Sequence, residues 1–203
     1  MLRRLLQLYV GLGLYGLSTA MFIRSDLGVD PWDVFHLGVA LQLGVSIGTV
    51  IIVTGAAVLL LWIPLRQLPG LGTISNVICI GLAADATMAL IPEMTSLPLR
   101  IALLVSGIVV NAIATGMYIG AGFGAGPRDG LMTGMHARLG WSIRSVRTAI
   151  EVSVLIIGCI LGGSFGVGTV LYALTIGPLI QLCLPWFRQK PRVNNVSQPE
   201  QVV

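Results

Sequence analysis

The sequence predicts an all-α membrane protein: six transmembrane helices and two short re-entrant or interfacial helices, arranged as an inverted-topology internal repeat of three spans each. Three observations predict it, namely an apolar composition, six long apolar runs, and a gapless self-match at an offset of 96 residues. With 55% hydrophobic and 10% charged residues among 203, and a mean hydropathy of +0.91, the chain carries more apolar surface than one water-soluble core could hide. Lipid is therefore its expected solvent. A crossing takes roughly 20 apolar residues to cover about 30 Å of hydrocarbon, so six crossings leave no length for a sizeable soluble domain.

Apolar runs bounded by charge, Pro or Gly place the spans at 5–23, 46–63, 73–91, 97–120, 143–161 and 168–186. Met1-Leu2-Arg3-Arg4 before an apolar run has the form of a signal peptide. The run continues to Ile23 without an Ala-x-Ala-like site, so an uncleaved first span is expected. Residues 31–43 and 127–139 open with Pro, are followed by Gly44 and Gly140, and at about 1.5 Å per residue are too short to cross. They read as the short helices. The polar tail 188–203, with Pro191 and Pro199, is expected to be a disordered cytoplasmic segment.

Laying residues 19–85 on 115–181 matches 20 of 67 positions, among them Gly28, Pro31, Asp33, Gly44, Ser46, Gly70, Gly72 and Thr73 with their counterparts. Apolar composition alone does not yield a shared scaffold of Gly, Pro, Ser, Thr and Asp, so the chain is internally duplicated. The halves are 1–92 and 93–187. Three spans per half is odd, so tandem copies sit in opposite orientations. With both termini cytoplasmic, ten Lys and Arg residues gather inside, and only Arg24 and Arg100 lie outside. The net charge of +4 follows from that bias and calls for no nucleic-acid partner. The expected partners are the lipid bilayer and a small solute or ion, with a homo-oligomer or a cytoplasmic protein left open.

The duplicated element is Gly-x-x-Pro-x-Asp, at Gly28–Asp33 and Gly124–Asp129. Asp30 and Gly126 suit the N-cap, Pro31 and Pro127 the first helical position, and Asp33 and Asp129 the positive helix end. One reading is simply a well-made helix start. The other is a binding element for a substrate or coupling cation, with Asp30, Asp33, Asp129 and Arg128 as candidates, as in broken-helix transporters. Asp85 and Asn111 lie inside spans and join the candidate list. Asp85 is read either as a proton- or cation-binding carboxylate or as one side of an interhelical hydrogen bond. Arg147 and Glu151, four apart, read as a buried ion pair that lets an acid sit in lipid, with a role in a polar pathway as the alternative.

His36 and His136 share no metal-ligand spacing and are expected at the interface. Cys79, Cys159 and Cys183 lie in apolar runs as packing residues. Gly162–Thr169 lacks a P-loop Lys and reads as a turn starting the last helix. No constellation for hydrolysis is present in the sequence, so no catalytic residue, metal or cofactor is expected, and the chain is not read as an enzyme.

Gly124–Leu131, the stripe Arg144, Arg147 and Glu151, and Gly162–Thr169 followed by Gly177-Pro178 together resemble the bacterial YczE/YyaS/YitT family of integral membrane proteins. Asp26–Asp33 is similar to the same family's equivalent loop. The resemblance implies a multi-pass protein of the bacterial plasma membrane and supplies no reaction. The leading expectation is a small transporter or permease-like protein. The alternative is a non-transporting accessory protein that docks a cytoplasmic partner on loop 121–142 and the tail.

Overall fold

The computed structural model describes residues 1–188, so the expected disordered tail lies almost wholly outside the described residues. Eight α-helices follow one another: α1 Leu2–Ser25, α2 Pro31–Leu43, α3 Ile47–Leu65, α4 Leu71–Leu90, α5 Leu97–Gly120, α6 Pro127–Leu139, α7 Ile143–Ile160 and α8 Val167–Phe187. No strand occurs among the described residues. The two short helices fall at the bounds read from the sequence. Five helices, α1, α3, α4, α5 and α8, are long and apolar enough to cross a membrane. The expected span at 143–161 is a helix of 18 residues, but it carries Arg144, Arg147 and Glu151 and falls outside that apolar set.

Local chemistry sets the short helices. Asp30 caps α2 by accepting from the N–H groups of Trp32 and Asp33, and Pro31 takes the first turn, where its missing N–H costs nothing. Gly44 and Gly140 end α2 and α6 in left-handed conformation, at φ 65° and 70°. Ser46 and Ser142 then start α3 and α7 by capping Thr49 and Ser145. Equivalent residues do equivalent work at both places.

The central pair is α1 against α5, with α4 laid on α1 and α8 on α5. The short helices cross over: α2 packs on α7, and α6 packs on α3. Each loop before a short helix is fastened to the start of the last helix of the other half. Gly168 N–H donates to Leu27 O at 2.7 Å, and Gly72 N–H donates to Phe123 O at 2.9 Å, two bonds related by 96 residues at both ends. Gly28 and Gly124 (φ 103° and 121°) must be glycine here, because a Cβ would come within 2.8 Å of the Thr169 and Thr73 hydroxyls respectively. Arg100 Nε to Ser25 O (2.7 Å) and Arg4 Nε to Ala121 O (3.0 Å) form another matched pair.

The crossover contacts also show how the copies diverged. Where α6 meets α3, Gly130 admits the Trp62 ring so closely that a Cβ would lie 2.0 Å from it. Where α2 meets α7, Gly158 instead admits the α2 backbone, and a Cβ there would lie 2.5 Å from Phe35 N. One crossover is filled by a ring and the other by close backbone approach. One region breaks the correspondence. A Cβ on Gly81 of α4 would strike Gly48 O of α3 at 2.5 Å, whereas the counterpart Gly177 of α8 meets nothing within 4 Å, and Arg144 stands where Gly48 would be.

Gly130→Val should therefore overpack the Trp62 contact and destabilise the protein by about 1–3 kcal/mol. Adding Trp62→Phe, which shortens the ring at the clash, should recover part of the loss in thermal unfolding of the purified protein. Additive losses would show that the two residues do not share one site.

Candidate functional site

The starts of α2 and α6 come from different halves and meet. Asp30 caps α2 through Oδ1, which accepts from Trp32 N–H at 2.9 Å and Asp33 N–H at 3.2 Å. Asp33, on the next helical turn face, places Oδ1 3.0 Å from His36 Nδ1, a contact that i,i+3 helical spacing creates. Asp30, Asp33 and His36 are all but completely buried, at 2%, 1% and 2% exposure. His36 is thus an interior residue, and the interfacial position expected for it is corrected. Its imidazole engages one oxygen of the Asp33 carboxylate, and the Thr19 hydroxyl lies within reach of the same group.

Arg128, the second residue of α6, supplies the counter-charge. Its guanidinium lies 3.5 Å from Asp30 Oδ1 and 4.0 Å from Asp33 Oδ1 and stacks 4.7 Å over the Trp32 ring. Stacking suits guanidinium, which is planar and weakly hydrated, better than it would suit an ammonium. Trp32 packs in turn against Val58 and Trp62, and Trp62 Nε1 donates to Pro127 O at 3.0 Å, which ties α3 to the first residue of α6. Asp129 does not duplicate the role of Asp33. Its Oδ2 accepts from Tyr118 OH at 3.2 Å.

Asn111 belongs to the same interior. Its amide donates to Ser18 Oγ at 2.8 Å and its carbonyl accepts from Tyr172 OH at 3.1 Å, joining α1, α5 and α8. Tyr15 and Tyr172 lie within electrostatic reach of Asp30, Asp33 and Arg128. Sequence reasoning missed Trp32, Tyr15, Tyr118 and Tyr172 as members of this cluster. Tyrosines inside apolar spans carry the signal that could have found them, since a buried phenol usually has a partner.

Asp85 stands apart from these residues. It accepts from Ser46 Oγ at 2.6 Å and Gly48 N–H at 2.8 Å, so it closes the start of α3 onto α4. Of the two readings open for it, the interhelical hydrogen bond is the one the geometry displays. Arg147 and Glu151 do form their ion pair, at 2.8 Å, but with side chains 50% and 33% exposed they sit on the bundle surface. The pair lies on the outer face of the bundle and not in its packed core, because α7 is uncovered on the side where α8 would match α4. Arg147 also lies within electrostatic reach of Asp129 and Tyr172, which places the charged face of α7 beside the interior cluster.

The two ion pairs should consequently behave differently. Arg128→Met leaves two buried carboxylates without their cation and should cost about 3–5 kcal/mol in thermal or denaturant unfolding. Glu151→Gln, at the exposed pair, should cost under about 1 kcal/mol. Equal losses would place the two pairs in the same environment.

Residues 2–185 match the model of a family described as a family of unknown function, DUF6198. An uncharacterised protein of Haemophilus influenzae is 37% identical over 186 residues, covering 92% of this chain and 85% of that one. The uncharacterised membrane protein YczE of Bacillus subtilis is 30% identical over 179 residues, covering 87% and 83%. The uncharacterised protein YyaS of the same organism is 24% identical over 184 residues, covering 88% and 92%. No solved structure matches. With nearly its whole described length inside one family model and YczE and YyaS among its relatives, the chain belongs to the DUF6198 family of membrane proteins.

Proposed function

We propose that the protein is a small secondary transporter whose solute site lies where the starts of α2 and α6 meet. The observation that carries this reading is the contact of Arg128 with Asp30 and Asp33. Two helix starts, taken from 96-related loops, bring charged side chains together in the interior of a chain with five helices apolar enough to cross a membrane. Charged groups in that setting are costly, and a binding function is the usual reason for keeping them. The start of α6, which has no side-chain cap, also directs its first N–H groups and positive dipole end towards the junction, which favours a ligand carrying negative charge.

In this reading α7 is the sixth crossing, and the halves insert in opposite senses. Its charges lie on the face of α7 that no helix covers, along a cleft lined by α7's own residues. The asymmetry fits one state of a carrier. On one side, Gly48 and Gly81 bring α3 hard against α4, and Asp85 fastens the contact. On the other, Arg144 and Gly177 occupy the same places and no such closure is made. Arg144, Thr148 and Ser145 line the open face. Positive-inside orientation puts this cleft on the cytoplasmic side.

Purified protein in proteoliposomes should move at least one member of a panel of small carboxylates, amino acids and inorganic phosphate, read by labelled uptake or charge movement. Arg128→Met should abolish it. If no solute moves and the protein instead purifies in a stable complex with a cytoplasmic protein, the accessory role is the correct one.

Orientation is tested separately. Val45 and Trp141 are equivalent, exposed residues after α2 and α6. In a Cys-free background, Val45→Cys should react with an impermeant thiol reagent on intact cells and Trp141→Cys only after permeabilisation. Equal reaction of both would refute opposed halves.

A further inference from the structure

We infer that Asp30 and Asp33 form a proton-carrying carboxyl pair, so that the proton is the coupling ion of this site. The inference deepens the transporter reading by naming the ion, and rests on that reading only for the proton's use.

Two oxygens carry the argument. Asp30 Oδ2 and Asp33 Oδ2 are buried and make no hydrogen bond of normal geometry, with the Thr19 hydroxyl in reach of the Asp33 carboxyl as its neutral neighbour. Their Oδ1 atoms are already engaged by the α2 backbone, His36 and Arg128. An unpartnered buried carboxylate oxygen costs about 1–3 kcal/mol or more, so two of them side by side call for something between them. The two carboxyls are near enough to interact directly. A proton placed on one makes it a donor to the other and satisfies both oxygens at once.

Charge leads to the same place. With both acids ionised, the pair carries two negative charges against one positive charge on Arg128. The other titratable groups facing it are His36 on the same helix, Tyr15 from α1 and Tyr172 from α8. Neutral imidazole and phenol add nothing, and α3 and α7 meet α2 with Val58, Trp62 and Gly158, which do not titrate. One bound proton brings the buried cluster to neutrality. A metal cation fits less well, because only two oxygens are unengaged, far fewer than the six to eight a hard cation takes, and Arg128 already holds the positive place.

The step is simple in its balance. A hydronium ion reaching the junction gives up its proton to Asp30 or Asp33. One O–H bond forms, one breaks, and water leaves. Release to the opposite side reverses the exchange and returns the cluster to a net charge of minus one, which tightens the hold on Arg128. Arg128 then has two states, one held by two carboxylates and one held by a single carboxylate, with donors left over for a solute anion.

Infrared spectroscopy of the purified protein with carbon-13 labelled aspartate reads protonated carboxyls directly. Wild type should retain a protonated aspartate band at neutral pH. Asp30→Asn and Asp33→Asn should each lose one proton's worth of that band, because the remaining acid then pairs with Arg128 as a carboxylate. Arg128→Gln should increase the pair's contribution about two-fold, since both acids are then left without a counter-charge. Asp129→Asn should leave the pair's band in place. Absence of any protonated aspartate in wild type at neutral pH overturns the inference without recourse to variants. So does a band that survives in both Asp30→Asn and Asp33→Asn, or that disappears only in Asp129→Asn. A missing band refutes the pair and leaves solute uptake to be judged on its own. A band without uptake leaves the protonated pair standing in a protein that carries no solute.

Discussion

A helix that begins inside a membrane protein must find partners for backbone donors that water would otherwise take, and the junction of α2 and α6 answers to that requirement. Asp30 supplies the cap, Arg128 answers the charge of the cap, and Trp32 supports the guanidinium from below. His36 and Tyr118 then each engage one oxygen of the two aspartates that follow. Remove the guanidinium and the rest of the chain of contacts loses its reason. The fastening of each preceding loop to the far half, through Leu27 to Gly168 and Phe123 to Gly72, brings those helix starts to the same place.

Duplication explains how such an arrangement can arise while leaving its details unequal. Backbone contacts are retained at both copies, because a Cβ at Gly28 or Gly124 would collide with the threonine that anchors the loop. The crossovers are filled differently, by the Trp62 ring against Gly130 at one and by α2 backbone against Gly158 at the other. The functional asymmetry lies elsewhere, in α7. Replacement of Gly48 by Arg144 and of Asp85 by Gln181 removes both the close approach and the carboxylate that seal α3 to α4.

Elements whose boundaries depend on local chemistry were legible in the sequence. Pro31 and Pro127 begin helices, Gly44 and Gly140 end them, and both short helices fall where those residues put them. The capping role of Asp30 was equally local. Legibility stopped where the determining contact spans the chain. Nothing near Asp33 announces that Arg128 will lie across from it, and Asp85 shows no sign in its own helix of its bond to Ser46. The exposure of Arg147 and Glu151 depends on how α8 packs, which no periodicity in α7 records. His36 was the exception, since its i,i+3 spacing from Asp33 was available, but burial of that face was not.

Position 32 and its counterpart 128 face one another, Trp against Arg. A residue that meets its own equivalent cannot be chosen independently on the two sides. Two copies of the first half would set tryptophan on tryptophan and leave four carboxylates, from two Asp30 and two Asp33, without a cation. Two copies of the second would oppose arginine to arginine and lose Asp30 altogether, since Gly126 takes its place. Neither half can therefore stand in for the other. Joining the halves in one polypeptide guarantees that each tryptophan meets one arginine, a one-to-one stoichiometry that free, identical subunits could not enforce.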